Sequence, residues 1–357
     1  MEKKKNKKKY ELLTEQLIDL IKKDNLKQND RLPTVREMIK RWNFSYATVH
    51  RTLIEMENKG LITRQQGKGM YVDRLDVKPA DKQVALIIPS DFSGFRIFID
   101  ILTGVRTALE KKKISLLISI SNMSHEKEKV TIERLISRNV DGMIIFLEDH
   151  YRHDYSHIAR LKEDNFPFVL IDRFIPELDT DYVVVHNRVA MYRICSYLKY
   201  NMCCDKIVFV PDTDSPENIS SSEEKLAGFM ESINILYGEE NGTVLCLDDL
   251  VPRLNEMSKT SKNIGVCMHH DGLITILHRR LQEQDMMLPT NCHLFGYNNS
   301  FETPLYPTVE QFNEKVGMKA AEILIEKMND PDKKTVQVRV EPKLILPDKI
   351  GGFYMED

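Results

Sequence analysis

Little in this 357-residue chain is arranged to make or break bonds. It has no GxSxG nucleophile turn, no GxGxxG dinucleotide turn and no phosphate-binding loop, since Gly67-Lys68-Gly69 is too short for one. His269-His270-Asp271 has the residue types of a metal site. Neither HExxH nor a Cys/His array accompanies it, so no metal and no cofactor is expected. Cys195, Cys203, Cys204, Cys246, Cys267 and Cys292 form no CxxC pair, which points to reduced thiols in a cytoplasm rather than disulfides. Redox sensing by the adjacent Cys203 and Cys204 is the lesser alternative to incidental thiols. The chemistry left is recognition, by charged, amide and hydroxyl side chains that hold a partner without transforming it. No catalytic residue is therefore assigned, and an enzyme on the same kind of fold is the alternative class.

Charge says where one partner binds. Residues 1–75 carry +8 and residues 76–357 carry −11, a split hidden in the total of −3. A small basic head on an acidic body suits a polyanion. The run Lys3-Lys4-Lys5-Asn6-Lys7-Lys8-Lys9 is the densest charge and reads equally as a solvated tail or a nucleic-acid arm. No apolar run approaches the roughly 20 residues of a membrane span. The first 23 residues lack a signal-peptide block, so neither a membrane nor secretion is expected.

The elements that must position the head's side chains follow from spacing. Tyr10, Leu13, Leu17, Leu20 and Ile21 recur every three or four residues and predict a first helix ending near Asp24-Asn25. Pro33 precedes Thr34-Val35-Arg36-Glu37, a capping box that starts a second helix running to about Trp42. Ser45 can cap a third helix through Lys59, with Val49, Leu53 and Met56 on its apolar face and Gly60 as its left-handed stop. Leu61 to Gln66 and Met70 to Val72 then predict a hairpin around Gly67-Lys68-Gly69. Three helices and a basic hairpin make a winged helix-turn-helix, whose third helix enters the major groove of DNA.

The segments Arg31-Leu32-Pro33-Thr34-Val35-Arg36-Glu37, Phe44 to Leu53, and Glu57 to Ile62 with Gln66 to Val72 resemble the DNA-binding domain of GntR-type bacterial regulators. The resemblance implies that Arg36 contacts a guanine. It places Ser45, Thr48 and Arg51 of helix three, and Gln66 and Lys68 of the wing, on bases and phosphates. Tyr46 and His50 stand where the family usually has arginines. Tyr46 can stack, donate to a phosphate or pack on helix two, and His50 can donate, but neither offers the bidentate fork that reads guanine.

Residues 76–82 are polar, hold Pro79 and show no periodicity, which predicts a linker between a head at 10–75 and a body at 83–357, with 1–9 as the tail. Apolar runs in the body alternate with helical segments: Val84 to Ile88, Leu116 to Ile120, Met143 to Phe146, Phe168 to Ile171, Ile207 to Val210, Val244 to Leu247, Val266 to Met268 and Leu294 to Phe295. Such runs predict an α/β body of two lobes with doubly wound parallel sheets, ligands binding at the carboxyl ends of the strands. The expected lobes are about 83–187 with 302–325, and about 188–301 with 326–357.

Asp141 to Ile145, Phe166 to Arg173, Gly296-Tyr297-Asn298-Asn299 and Pro307 to Gln311 followed by Val316 to Ala321 resemble the sugar-sensing domain of LacI-type repressors, itself similar to periplasmic sugar-binding proteins. Family ligand positions carry over unevenly. The arginine of its RxxGF motif is Lys225 here, without the planar fork; its Asn-Asp pair is His270-Asp271; and the Asp of its GFDD turn is Asn298. Asp91, Phe92 and Arg96 after the first strand, Glu148 and Asp149 after the third, Arg173, and Gln311 at the hinge complete the candidates. Phe92 would stack on a sugar ring, while Arg173 has the alternative of an ion pair within its lobe.

A GntR-type head on a LacI-type body implies a ligand-responsive transcription regulator, most often a repressor of carbohydrate-utilisation genes. It would bind double-stranded, palindromic operator DNA as a homodimer and release or rearrange when a monosaccharide closes the lobes. Family analogy offers L-arabinose or L-fucose as the effector. A sugar-binding protein without DNA function is the third reading, against which the basic head argues.

Overall fold

The computed structural model describes residues 9–24, 26–58, 60–65, 68–73, 82–89, 96–148, 154–212, 219–300 and 305–347. Lys3 to Lys8, Gln66, Asp91, Phe92 and Asp149 lie outside these. The chain divides into two units, Met1–Asp81 and Lys82–Asp357.

In the first unit, α1 (Lys9–Lys23), α2 (Val35–Trp42) and α3 (Tyr46–Asn58) precede the hairpin of β1 (Ile62–Gln65) and β2 (Gly69–Val72). The capping box is closed both ways: the Thr34 amide donates to Glu37 Oε2 at 2.7 Å and the Glu37 amide to Thr34 Oγ1 at 3.3 Å. The Thr34 amide and hydroxyl, both donating to Glu37 Oε2, hold that carboxyl below its ordinary range. Gly60 takes φ +65°, the left-handed stop. Leu13, Leu17, Met38, Val49, Leu53, Met56 and Val72 close one core, so the helix faces read from spacing are the buried ones. This is a winged helix-turn-helix.

The second unit contains two parallel sheets. The first lobe runs through β3 (Gln83–Ile88), α4 (Arg96–Glu110), β4 (Ser115–Ile120), α5 (His125–Ser137), β5 (Gly142–Phe146), α6 (Ser156–Glu163), β6 (Phe168–Ile171) and β7 (Tyr182–Val185). The second comprises α7 (Asn187–Tyr200), β8 (Lys206–Val210), α8 (Ser220–Leu236), β9 (Gly242–Val244), α9 (Leu247–Met257), β10 (Ile264–Met268), α10 (Asp271–Glu283), β11 (Cys292–Phe295) and β12 (Thr308–Glu310). The chain then returns through α11 (Asn313–Asn329), β13 (Gln337–Val340) and β14 (Lys343–Ile345).

The strand orders are β13-β7-β6-β5-β3-β4 and β11-β10-β8-β9. Both sheets bury apolar side chains on their two faces, as continuous apolar strands demand.

The pairing corrects the expected lobe boundaries. Val309 packs in the second lobe's core and β12 pairs with β14, so 305–310 belongs to the second lobe. Residues 326–340 belong to the first, because α11 runs unbroken to Asn329 and β13 pairs with β7. Helix α11 lies so close to α4 that a Cβ at Gly317 would come within 2.2 Å of the Ile101 carbonyl oxygen, and one at Gly104 within 1.9 Å of that of Glu314. The run Val244 to Leu247 also divides: β9 ends at Val244 and Leu247 opens α9.

Candidate functional site: a DNA-reading helix and an effector crevice

On the head, Arg36 is exposed in the first turn of α2. Ser45 caps α3, its Oγ accepting from the Thr48 amide at 3.3 Å and lying 2.9 Å from the Thr48 hydroxyl. Tyr46 is 64% exposed and stacks on His50 one turn along, with ring centres 5.7 Å apart and planes inclined by 25°. The alternative of Tyr46 packing on helix two gives way to this stacked pair. Arg51 Nε meets Glu55 Oε1 at 3.2 Å, and Lys68 is exposed beside β2. A hydroxyl cap and a solvent-facing aromatic thus open α3, with Arg51 further along it and Arg36 and Lys68 exposed on α2 and the hairpin.

In the body, parallel strands make crevices where strand order reverses, between β8 and β10 in the second lobe. Asp212 leaves β8 there, and His269 and His270 leave β10. The Asp212 amide donates to His269 Nδ1 at 3.1 Å, so the proton of a neutral His269 belongs on Nε2, 3.4 Å from the Ser222 hydroxyl. Burial, with Lys225 and His270 nearby, pushes the His269 pKa well down and keeps the ring neutral. His270 Nε2 lies 3.3 Å from Asp212 Oδ2.

Lys225 joins this group from α8. Its motif is explained by three contacts: Gly228 lets α8 approach α7, where a Cβ would come within 2.7 Å of Arg188 Cα; Phe229 stacks on Phe209; and Lys225 projects one turn earlier. Its ammonium donates to the His269 carbonyl at 3.1 Å and sits 4.1 Å from the centre of the Tyr297 ring. Burial lowers its pKa to about 8, while the Asp172 and Asp212 charges work against that fall and Arg173 adds to it.

The first lobe contributes Arg173. Its Nη1 donates to the Leu147 carbonyl at 2.9 Å, its guanidinium lies 5.1 Å from the Phe146 ring centre, and its Nε is 3.6 Å from Asp172 Oδ2. Asp172 holds φ +62°, a left-handed conformation that Asp tolerates. The lobes also touch directly, through the Phe174 amide donating to Ser220 Oγ at 2.9 Å and the Arg339–Glu224 ion pair.

Not every expected residue joins. Asp271 is bonded into the fold: Oδ2 accepts from the Ser300 amide at 2.7 Å, Oδ1 accepts from the Thr308 hydroxyl at 2.8 Å, and the side chain is buried, though its charge still acts on Lys225. Asn298 accepts from the Gln311 amide group, so these two orient each other at the hinge. Arg96 is exposed and paired with Asp100 at 3.3 Å. Glu148, just past β5, is buried and accepts from the Ser121 hydroxyl. Conversely, the sequence favoured a structural role for Asp172 and did not single out Asp212 or Tyr297, which lie beside Lys225. A charged residue just past the apolar run Ile207 to Val210 was the signal available for Asp212.

Residues 9–72 match the family of bacterial regulatory proteins, gntR family, and residues 224–346 match the periplasmic binding protein-like domain. The chain therefore joins a GntR-type DNA-binding domain to a periplasmic-binding-protein-like domain.

The chain is 23% identical over 367 residues to the arabinose metabolism transcriptional repressor of Halalkalibacterium halodurans, covering 95% of each chain. It is 22% identical over 335 residues to that of Geobacillus stearothermophilus, covering 89% of this chain and 90% of the relative. A LacI family transcriptional regulator from Enterococcus faecium, solved with bound ribose, shares the fold at a TM-score of 0.58 and 19% identity, over 74% of this chain and 97% of that one. No helix among the described residues is long and apolar enough to cross a membrane.

Proposed function

We propose that this chain is a cytoplasmic, sugar-responsive repressor that binds a palindromic operator as a homodimer and changes its grip when a monosaccharide enters the crevice. The head supplies base and phosphate contacts through Arg36, Ser45, Tyr46, Thr48, His50, Arg51 and Lys68. The crevice supplies Arg173, Lys225 and His270, joined by Asp212 and Asp172, with Asn298 and Gln311 at the hinge.

The observation that carries the effector reading is the mix of charges around Lys225. Two cations, Arg173 and Lys225, share one electrostatic neighbourhood with three carboxylates, Asp172, Asp212 and Asp271. Donors and acceptors of both signs suit the hydroxyls of an uncharged polyol, whereas a sugar phosphate would need a surplus of cations. The names of the relatives make L-arabinose the first candidate, with L-fucose and ribose beside it.

A thermal-shift panel of monosaccharides and sugar phosphates tests this. A ligand at a hundred times its Kd stabilises the native state by about 2.7 kcal/mol. A neutral monosaccharide should raise Tm in the wild type and leave the Lys225→Met variant unmoved. A response confined to phosphorylated sugars would overturn the reading.

A further inference from the structure

The first lobe holds a second cluster, at the starts of α5 and α6, that the proposed effector site does not use. His125 and Glu128 stand three residues apart at the start of α5, and His157 faces them from α6, with one donor atom of each within 4.8 Å of the others. We propose that His125, Glu128 and His157 bind a divalent transition-metal ion of zinc-like coordination chemistry. This reverses the expectation of a metal-free chain, which rested on the absence of familiar ligand spacings.

Three observations carry it. First, His157 is 8% exposed and its Nε2 already faces the Glu128 carboxylate, while its Nδ1 has no hydrogen-bond partner among the described residues. Second, His125 Nε2 is also enclosed and without a hydrogen bond, its nearest carboxylate oxygen being Asp154 Oδ2 at 3.8 Å. Third, the Glu128 carboxylate is buried and already aimed: Oε1 lies 2.7 Å from His157 Nε2, and Oε2 accepts from the Glu148 amide at 2.7 Å. Outer hydrogen bonds of this kind orient metal ligands.

Two imidazoles and one carboxylate suit zinc, cobalt, nickel or ferrous iron, and do not suit the all-oxygen preferences of calcium or magnesium. Bonds of about 2.1 Å at tetrahedral angles place ligand atoms roughly 3.4 Å apart. The cluster therefore needs a contraction that rotation of His125, on the first turn of its helix, can supply. His157 exchanges its hydrogen bond to Glu128 for the ion, releasing a proton if that nitrogen carried one. The site also touches the crevice: the Leu147 carbonyl accepts from Arg173 while the next amide, that of Glu148, donates to Glu128.

The test uses the full-length chain, stripped with a chelator and titrated with Co²⁺ and then Zn²⁺. One Co²⁺ per chain should bind, with visible ligand-field bands and no near-ultraviolet thiolate charge-transfer band, and Zn²⁺ should displace it and raise Tm. His125→Ala and Glu128→Gln should each weaken binding at least about tenfold, with His125→Ala keeping the wild-type circular dichroism. If Glu128→Gln fails to fold, His125→Ala alone decides. A thiolate band, the absence of saturable binding, or unchanged affinity in His125→Ala would overturn the proposal.

Discussion

The ammonium of Lys225 lies 4.1 Å from the centre of the Tyr297 ring, and the Tyr297 hydroxyl donates to Asn187 Oδ1 at 2.7 Å. The ring is thereby fixed from its far end while its face supports a buried cation. A cation held this way is costly in the empty crevice and useful only to a partner that hydrogen-bonds it.

That cost has a pH signature. The fall of the Lys225 pKa from 10.5 to about 8 corresponds to roughly 3 kcal/mol against the folded state at neutral pH. Below pH 8 both folded and unfolded chains hold the proton and the cost is full. Between about 8 and 10.5 only the unfolded chain holds it, so stability rises with pH. Urea denaturation at pH 7.5 and 9.5 should show the wild type gaining roughly 2 kcal/mol relative to Lys225→Met. A constant difference would mean that Lys225 is not desolvated.

Asp271 should behave as a structural residue. Asp271→Ala leaves the Ser300 amide and Thr308 hydroxyl without their acceptor, at about 2–3 kcal/mol of stability. Chemical denaturation measures this loss, and a change below about 0.5 kcal/mol would return Asp271 to the crevice.

Arg36 should read sequence. Arg36→Ala is expected to cost roughly 1–3 kcal/mol on a selected operator duplex and to relax preference at one base pair. A gel-shift series on single-base variants checks it; equal discrimination by wild type and variant would remove Arg36 from base readout.

A palindromic operator needs paired heads, so the full chain should sediment as a dimer at tens of micromolar, with the body's first lobe supplying the contact. A monomer across that range would contradict the dimeric reading.

The head was legible because its signals are local. Thr34 and Glu37 are three residues apart, and Gly60 marks its own stop. The parallel strands were legible as apolar runs, except where a run was short or mixed. Gln337-Val338-Arg339-Val340 alternates polar and apolar residues and is half exposed, so β13 carries no buried-strand signature. Its exchange between lobes depends on pairing with Tyr182–Val185, more than 150 residues away in sequence. The crevice was partly legible. Lys225 followed from motif spacing, but Asp172 and Asp212 leave strands of two different sheets and meet at Lys225 only in the folded body. Likewise, His125 and Glu128 form a recognisable pair whose third donor, His157, lies 29 residues further on in another helix.

The central claim is that one molecule couples a crevice to an operator. Fluorescence anisotropy on a duplex selected from random sequence, with and without the sugar found by thermal shift, measures that coupling directly. The wild type should lose operator affinity at least about tenfold with saturating sugar, a coupling of roughly 1.4 kcal/mol. Lys225→Met should bind the same duplex and ignore the sugar. Equal operator affinity with and without bound sugar, or an undiminished response in Lys225→Met, would contradict the account.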